Sequence, residues 1–259
     1  MKAKIFCAAV LILMTASCSS RQAKIKKSQE KDPTYQYNLG VFYLNEGQLD
    51  RAVFHLNRSL TLKPDNYIAY HSLGLVHSIK GEMEKAVEYL QKALSSNPGS
   101  TETRNTLGAI YQEMGFLEKA EEEFKTAARD TNYKSRELPY YNLARLYVQK
   151  NQMDAAMEYI NTALTLNSGL SMGHNLKGII FEKQGLYGEA IDSYRRAVSK
   201  IPDDIGFNYN LAVAYFKNQE YQQAKEIFEE ILPLVTDPES QGKIREFLDH
   251  INKRRLLVN

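Results

Sequence analysis

Few side chains in this 259-residue sequence could carry out covalent or metal chemistry. There are five histidines, two cysteines and one run of three acids, Glu121-Glu122-Glu123. His71 and His77 lie six positions apart, which on one helix is about 240° of rotation, so they cannot share a metal ion. His55, His174 and His250 have no Cys or His partner at ligand spacing. No glycine-rich phosphate loop, no G-x-S-x-G and no H-E-x-x-H occurs. The three glutamates read as the solvated face of a helix. The sequence therefore offers no catalytic residue, no metal or cofactor site and no sign of a small-molecule substrate. The one reactive group that asks for an explanation is the thiol of Cys18.

Both cysteines, Cys7 and Cys18, fall in the opening stretch MKAKIFCAAVLILMTASCSSRQ. Lys2 and Lys4 form a positive start. Ile5 to Met14 is an apolar run, too short for the roughly 20 residues that span a bilayer. Thr15, Ala16 and Ser17 are small. That order is the pattern of a secretory signal peptide over residues 1–17. Thr15-Ala16-Ser17-Cys18 resembles a bacterial lipobox. The resemblance implies a diacylglyceryl group on the Cys18 thiol, cleavage before it and acylation of the new N-terminus. Thr15 stands where the lipobox has a large aliphatic residue. The same bond also suits ordinary signal-peptide cleavage, which would leave Cys18 a free thiol.

Residues 18–32 lack an apolar face and read as a lipid-anchored, flexible tether with a mean reach of about 20 Å. Arg21, Lys24, Lys26, Lys27 and Lys31 cluster there, either to lie on anionic headgroups or simply to be solvated. Of the 33 basic residues, Lys2 and Lys4 belong to the leader, and the 31 that remain equal the 31 acids. That balance gives no concentrated basic surface for nucleic acid. With Cys18 as the one mature cysteine, no internal disulfide can form, so stability must come from packing.

The elements that do the packing repeat. YNLGVFYLNEGQLDRAVFHL, HSLGLVHSIKGEMEKAVEYL and NTLGAIYQEMGFLEKAEEEF begin at Tyr37, His71 and Asn105, a period of 34 residues. Three further copies give six units, 33–66, 67–100, 101–134, 137–170, 171–204 and 205–238. The eighth position is Gly40, Gly74, Gly108, Ala144, Gly178 and Ala212. The twentieth is Ala52, Ala86, Ala120, Ala156, Ala190 and Ala224. Small residues at both places let two helices approach closely. The eleventh position is a ring, Tyr43, His77, Tyr111, Tyr147, Phe181 and Tyr215, expected to fill space between units. Gly47, Gly81, Gly115, Asn151 and Gly185 suit a left-handed turn between the helices; Gln219 departs from that rule. Pro64, Pro98 and Pro202 close three units.

Asp32-Pro33 and Asp237-Pro238 each read as an N-cap followed by a first-turn proline. The second opens a helix in 239–259 with Ile244, Phe247, Leu248 and Ile251 on one stripe. Burying those four would contribute roughly 6–12 kcal/mol before entropy is subtracted. This helix is expected to cap the array.

The period and pattern resemble the tetratricopeptide repeat, a helix–turn–helix unit. The resemblance implies an all-α fold, a right-handed solenoid of six repeats plus the capping helix. The third and fourth units are offset by 36 residues, with Lys134, Ser135 and Arg136 lengthening the connection and Pro139 starting the next helix. A surface loop tolerates such an insertion cheaply. The junction Asp130-Thr131-Asn132-Tyr133 with Ser135-Arg136 is also similar to the mid-array junction of the type IV pilus biogenesis and stability lipoproteins, pilotins of the PilF/PilW type. Those share the plan of a lipidated cysteine, a tether and six repeats. The resemblance implies a scaffold on the periplasmic face of the outer membrane whose partners are secretin subunits. An envelope adaptor docking peptidoglycan-processing enzymes would need the same two parts, an anchor and a groove.

In that fold, positions 5 and 9 of each first helix face the groove. Tyr37, Val41, His71, Leu75, Asn105 and Tyr141 are the expected protein-binding residues. Each of them could instead pack between helices. The paired Lys and Arg with which some tetratricopeptide domains grip a peptide carboxylate are absent, although Asn38, Asn142 and Asn210 match one asparagine of that clamp. A neutral, aromatic groove favours an extended or helical peptide.

Overall fold

The computed structural model describes residues 28–258, with side chains to Arg254. The leader and Cys18 lie outside the described residues. Within them the chain forms thirteen α-helices, one short 3-10 turn and no strand. It divides into two compact units, one ending at Phe116 and the other beginning at Leu117.

The first unit holds α1 (Pro33–Asn45), α2 (Leu49–Leu62), α3 (Tyr67–Ile79), α4 (Met83–Ser96) and α5 (Thr101–Glu113). Helices α1 and α2 pair, α3 and α4 pair, and each pair packs on the helix that follows. Ala52, Leu56, Ala69, Leu73 and Val76 make a fully buried cluster that joins the two hairpins. The second unit holds α6 (Leu117–Ala128), α7 (Glu137–Gln149), α8 (Met153–Leu166), α9 (Ser171–Lys183), α10 (Tyr187–Lys200), α11 (Ile205–Lys217), α12 (Tyr221–Ile231), the 3-10 turn Leu232–Leu234 and α13 (Pro238–Val258). Its pairs are α7/α8, α9/α10 and α11/α12, and α13 packs on α12.

The close approach within a pair has a visible cause. A Cβ at Gly74 would stand 2.6 Å from Leu90 Cγ, and one at Gly178 would stand 2.5 Å from Cε1 of the fully buried Tyr194. All six alanines of the twentieth position are completely buried. The turns are equally regular. In the first, the N–H of Gly47 donates to Leu44 O at 3.0 Å and that of Gln48 to Tyr43 O at 2.8 Å, the paired bonds of a Schellman turn. The same two bonds close the other five turns, and each time the outer acceptor is the carbonyl of the ring residue. Gln219, which looked out of place, adopts φ +64°, alongside Asn151 at +59° and Gly47 at +69°. The bonds impose the left-handed conformation whatever the side chain, at a steric cost for a residue with a Cβ.

Three sequence expectations change in detail. The tether was read to Asp32, yet residues 28–31 already form a turn, with Lys31 N donating to Ser28 O at 3.1 Å. Helix α7 begins at Glu137, so Pro139 is its third residue rather than its first, still in the turn whose N–H groups have no helical acceptor. Three rings of the eleventh position also stack within their own hairpin. Tyr43 lies on His55, His77 on Tyr89 and Tyr147 on Tyr159, with centroids 5.2, 5.0 and 5.2 Å apart. Others reach the preceding repeat: Tyr111 Oη accepts from Gln91 Nε2 at 3.1 Å, Tyr215 Oη accepts from Arg195 Nε at 2.6 Å, and the Tyr215 ring is buried in one cluster with Ala190 and Tyr194.

The capping stripe is seated. Ile244 and Ile251 are buried, and Phe247 and Leu248 pack against the cluster of Leu211, Tyr215, Ala224 and Phe228. Phe247 stacks on Phe228 at 5.0 Å. Lys243 and Arg245 stay exposed.

Candidate functional site

Five of the six expected groove residues belong to the first unit. Tyr37 and Val41 stand on α1, His71 and Leu75 on α3, and Asn105 on α5; all are half-buried. Helices α1 and α3 touch, which brings the first four toward one surface. Tyr37 leans on the buried cluster beneath it. His71 Nδ1 lies 3.1 Å from Thr103 Oγ1, which is itself 2.7 Å from Ser100 Oγ at the N-cap of α5. Burial lowers the His71 pKa, and Glu102 opposes that shift. The imidazole is therefore a neutral hydrogen-bonding group that ties α3 to α5. Tyr141 lies in the second unit, half-buried against Ala144, Ile160 and Leu170, with Arg145 5.9 Å from its ring.

Thr103 was not singled out by sequence reasoning, because its partner lies 32 residues away. Glu121 corrects an expectation. Rather than sharing a solvated face with the exposed Glu122, it accepts from Lys125 Nζ at 2.6 Å, Tyr147 Oη at 2.7 Å and Lys150 Nζ at 2.6 Å. Burial alone would raise its pKa; the three donors overcome this and hold it down to about 2. Tyr147 is pushed up to about 12, first by burial and then by its bond to Glu121. This network joins α6 to α7 across the lengthened connection.

His77 is buried and its Nδ1 lies 2.8 Å from Glu82 Oε2, so it serves the fold. Asn210 Nδ2 donates to Asn175 Oδ1 at 2.9 Å, while Asn142 is buried and Asn38 exposed. Two cavities of the second unit lie away from the groove residues. One of about 550 Å³ is lined by Asn161, His174, Lys177 and Arg196. Another of about 420 Å³ runs beside α13 between Tyr209, Phe247 and His250. Among the described residues, no three His, Cys, Asp or Glu side chains converge as a metal ion would require. No described helix is long and apolar enough to cross a membrane.

The tetratricopeptide-repeat family profile matches residues 33–66 and 67–100. A profile described as the tetratricopeptide repeat protein 21 C-terminal ARM domain matches residues 125–250. With the paired helices and their fixed turns, these matches define the class: the chain is a tetratricopeptide-repeat protein. Ycf37 of Cyanophora paradoxa, itself uncharacterised, is 31% identical over 112 residues, a stretch spanning 42% of this chain and 64% of Ycf37. Within the class, the fold resembles that of PilF from Pseudomonas aeruginosa, with a TM-score of 0.73 at 20% identity over 85% of this chain and 99% of PilF. It also resembles PilW, a widely conserved type IV pilus biogenesis factor, with a TM-score of 0.75 at 16% identity over 82% and 97% of the two chains.

Proposed function

We propose that this protein is a lipid-anchored scaffold of the bacterial outer membrane that binds a segment of a partner protein and acts as a pilotin, assisting secretin assembly in type IV pilus biogenesis. The observation that carries the reading is the end-to-end likeness to PilF and PilW. The match takes in 99% and 97% of those chains, so it follows the whole repeat array of each and not a few repeats of a longer one. The lipobox at Cys18 supports an anchor, and the neutral surface of Tyr37, Val41, His71 and Leu75 supports docking of an apolar or aromatic peptide. The reading asks for no catalytic residue.

The test is capture followed by loss of function. Crosslinking of the intact envelope and mass spectrometry of what the protein holds should recover secretin subunits. Tyr37→Ala combined with Leu75→Ala should weaken that binding at least about ten-fold, or about 1.4 kcal/mol, and should reduce secretin multimers while helicity is retained. Recovery of peptidoglycan-processing enzymes, with secretin multimers intact, would replace the pilotin reading by that of an envelope adaptor. Unchanged binding with normal helicity would remove the groove assignment.

A further inference from the structure

The two ends of a repeat array have no neighbour on one side, and at the first hairpin the chain does something unusual with that surface. The tenth position of each repeat is Phe42, Val76, Ile110, Leu146, Ile180 and Ala214. The last five are buried, but Phe42 is 53% exposed. The twenty-second position is acidic in five repeats, at Glu88, Glu122, Glu158, Asp192 and Glu226, all exposed. In the first repeat it is Phe54, 65% exposed. The place where every other repeat carries a solvating charge thus carries a ring in water.

These two rings are not isolated. Phe42 meets Tyr43 edge-on at 5.4 Å, Tyr43 stacks on His55 at 5.2 Å, and His55 meets Phe54 edge-on at 5.1 Å. The result is one aromatic strip over α1 and α2. Arg51, Phe54 and Arg58 follow one another at i, i+3 and i+7 along α2, all exposed, so the outer phenyl is flanked by guanidiniums. Arg51 also reaches over the Tyr43 ring at 5.4 Å. Of the nearby acids, Asp50 is paired with Lys80 Nζ at 2.9 Å and Glu46 is exposed at the turn. Apolar rings framed by cations suit a surface that is oily just beneath an anionic layer.

The length of chain upstream says which surface that is. Fourteen positions separate Cys18 from Asp32, which reach at most about 50 Å even fully extended. Arg21, Lys24, Lys26, Lys27 and Lys31 lie in that stretch, against Glu30 and the closing Asp32. A lipid on Cys18 would therefore hold the first hairpin within reach of the bilayer for as long as the protein is anchored. A second copy of the chain is a poorer occupant. Two phenyl rings and two guanidiniums are little beside the roughly 800 Å² that a stable interface takes from each partner.

We propose that the Phe42–Tyr43–His55–Phe54 strip, with Arg51 and Arg58, is a membrane-contact surface that seats the first hairpin on anionic lipid. The proposal rests on the anchored reading of Cys18 given above, and it adds a second, weaker contact to the covalent one. A lone acyl-type anchor leaves the array free to swing; a seated first hairpin fixes which end faces the lipid.

The chain contains no tryptophan but 17 tyrosines, so Phe54→Trp introduces a single tryptophan, read by exciting to the red of the tyrosines. The full mature protein is placed in vesicles of phosphatidylethanolamine and phosphatidylglycerol with brominated acyl chains. At least about half of the Phe54→Trp emission should be lost to the bromines, whose depth matches that of interfacial residues. Glu88→Trp, at the same place one repeat on, should keep its emission. Circular dichroism confirms that both variants are folded. The N-terminal mass, read separately, says whether Cys18 is lipidated. Lipidated protein with no quenching at Phe54→Trp overturns the contact and leaves the anchor standing. If Cys18 carries no lipid, the anchor reading fails; the unlipidated chain is then mixed with the same vesicles, where quenching supports the contact and its absence overturns it. A blue shift without vesicles that grows with protein concentration assigns the strip to self-association and overturns the proposal.

Discussion

The first and last hairpins solve the same problem in opposite ways. After α11 and α12 the chain continues into α13, which lays Ile244, Phe247, Leu248 and Ile251 over Phe228 and Tyr215. Before α1 and α2, among the described residues, there is only the turn at 28–31, hydrogen-bonded to Gln36 through Glu30 O at 3.2 Å. Phe42 and Phe54 stay largely in water. A repeat cannot bury its hydrophobic face alone, so an array normally ends in a polar or covered repeat. The last hairpin follows that rule with an added helix. The first leaves Phe42 and Phe54 at the surface, as the proposed membrane contact would require.

Truncating the two ends should break or confirm the contrast. Ile244→Ala removes a fully packed side chain and should cost about 2–4 kcal/mol by urea unfolding. Phe54→Ser removes a solvated ring and should stay within about 0.5 kcal/mol of the parent. Equal losses would mean that the first hairpin is packed as tightly as the last.

An interior contact gives the scale for both. Glu121→Gln removes the charge shared by Lys125, Tyr147 and Lys150 and should cost about 1–2 kcal/mol at neutral pH. The Glu121 carboxyl is held at about 2 in the folded chain against an ordinary 4.5, so its contribution is present above the higher value and fades as pH falls toward the lower one. The gap between the unfolding midpoints of parent and variant should therefore narrow between about pH 5 and about pH 2. A gap that stays constant with pH would show that the carboxylate does not hold α6 to α7.

The smallest effect concerns the turns of the two terminal hairpins. Gln219→Gly relieves a left-handed residue and should raise stability by about 0.5–1 kcal/mol, while Gly47→Gln should lower it by a similar amount. Opposite signs of near-equal size would show that the two turns are interchangeable and that the ends differ only in what covers them.

Much of this was readable before any coordinates. Gly74 and Ala86, or Gly178 and Ala190, announce a close helix pair because no larger residue fits, and that requirement repeats at fixed spacing. The oddity of Phe54 is also written in the sequence, as a ring in a column of acids. What the pattern could not show depends on contacts between repeats. His71 finds Thr103 and Tyr147 finds Glu121 only once consecutive hairpins are stacked, since residues 32 and 26 positions apart then become neighbours. Gln219 misled for another reason. The turn is held by backbone bonds common to all six hairpins, so the residue type is a preference and the geometry is not. Of the groove residues, spacing gave their place on the first helices, but not that His71 is engaged by Thr103 or that Tyr141 packs against the buried cluster of Ile160 and Leu170.

The uncovered first hairpin also has a mechanical meaning. Where each hairpin is held by its own turn and by its immediate neighbours, a pull at one terminus is not spread over the whole molecule. It acts on the hairpin first in line. Here that is α1 with α2, which packs on α3 and has no helix pair on its other side among the described residues. A load drawn through the chain ahead of Ser28 would peel this hairpin away before it reached α3 and α4. Extension would then come in repeat-sized steps, the first of them the easiest, so that the first hairpin would act as a fuse and spare the repeats behind it.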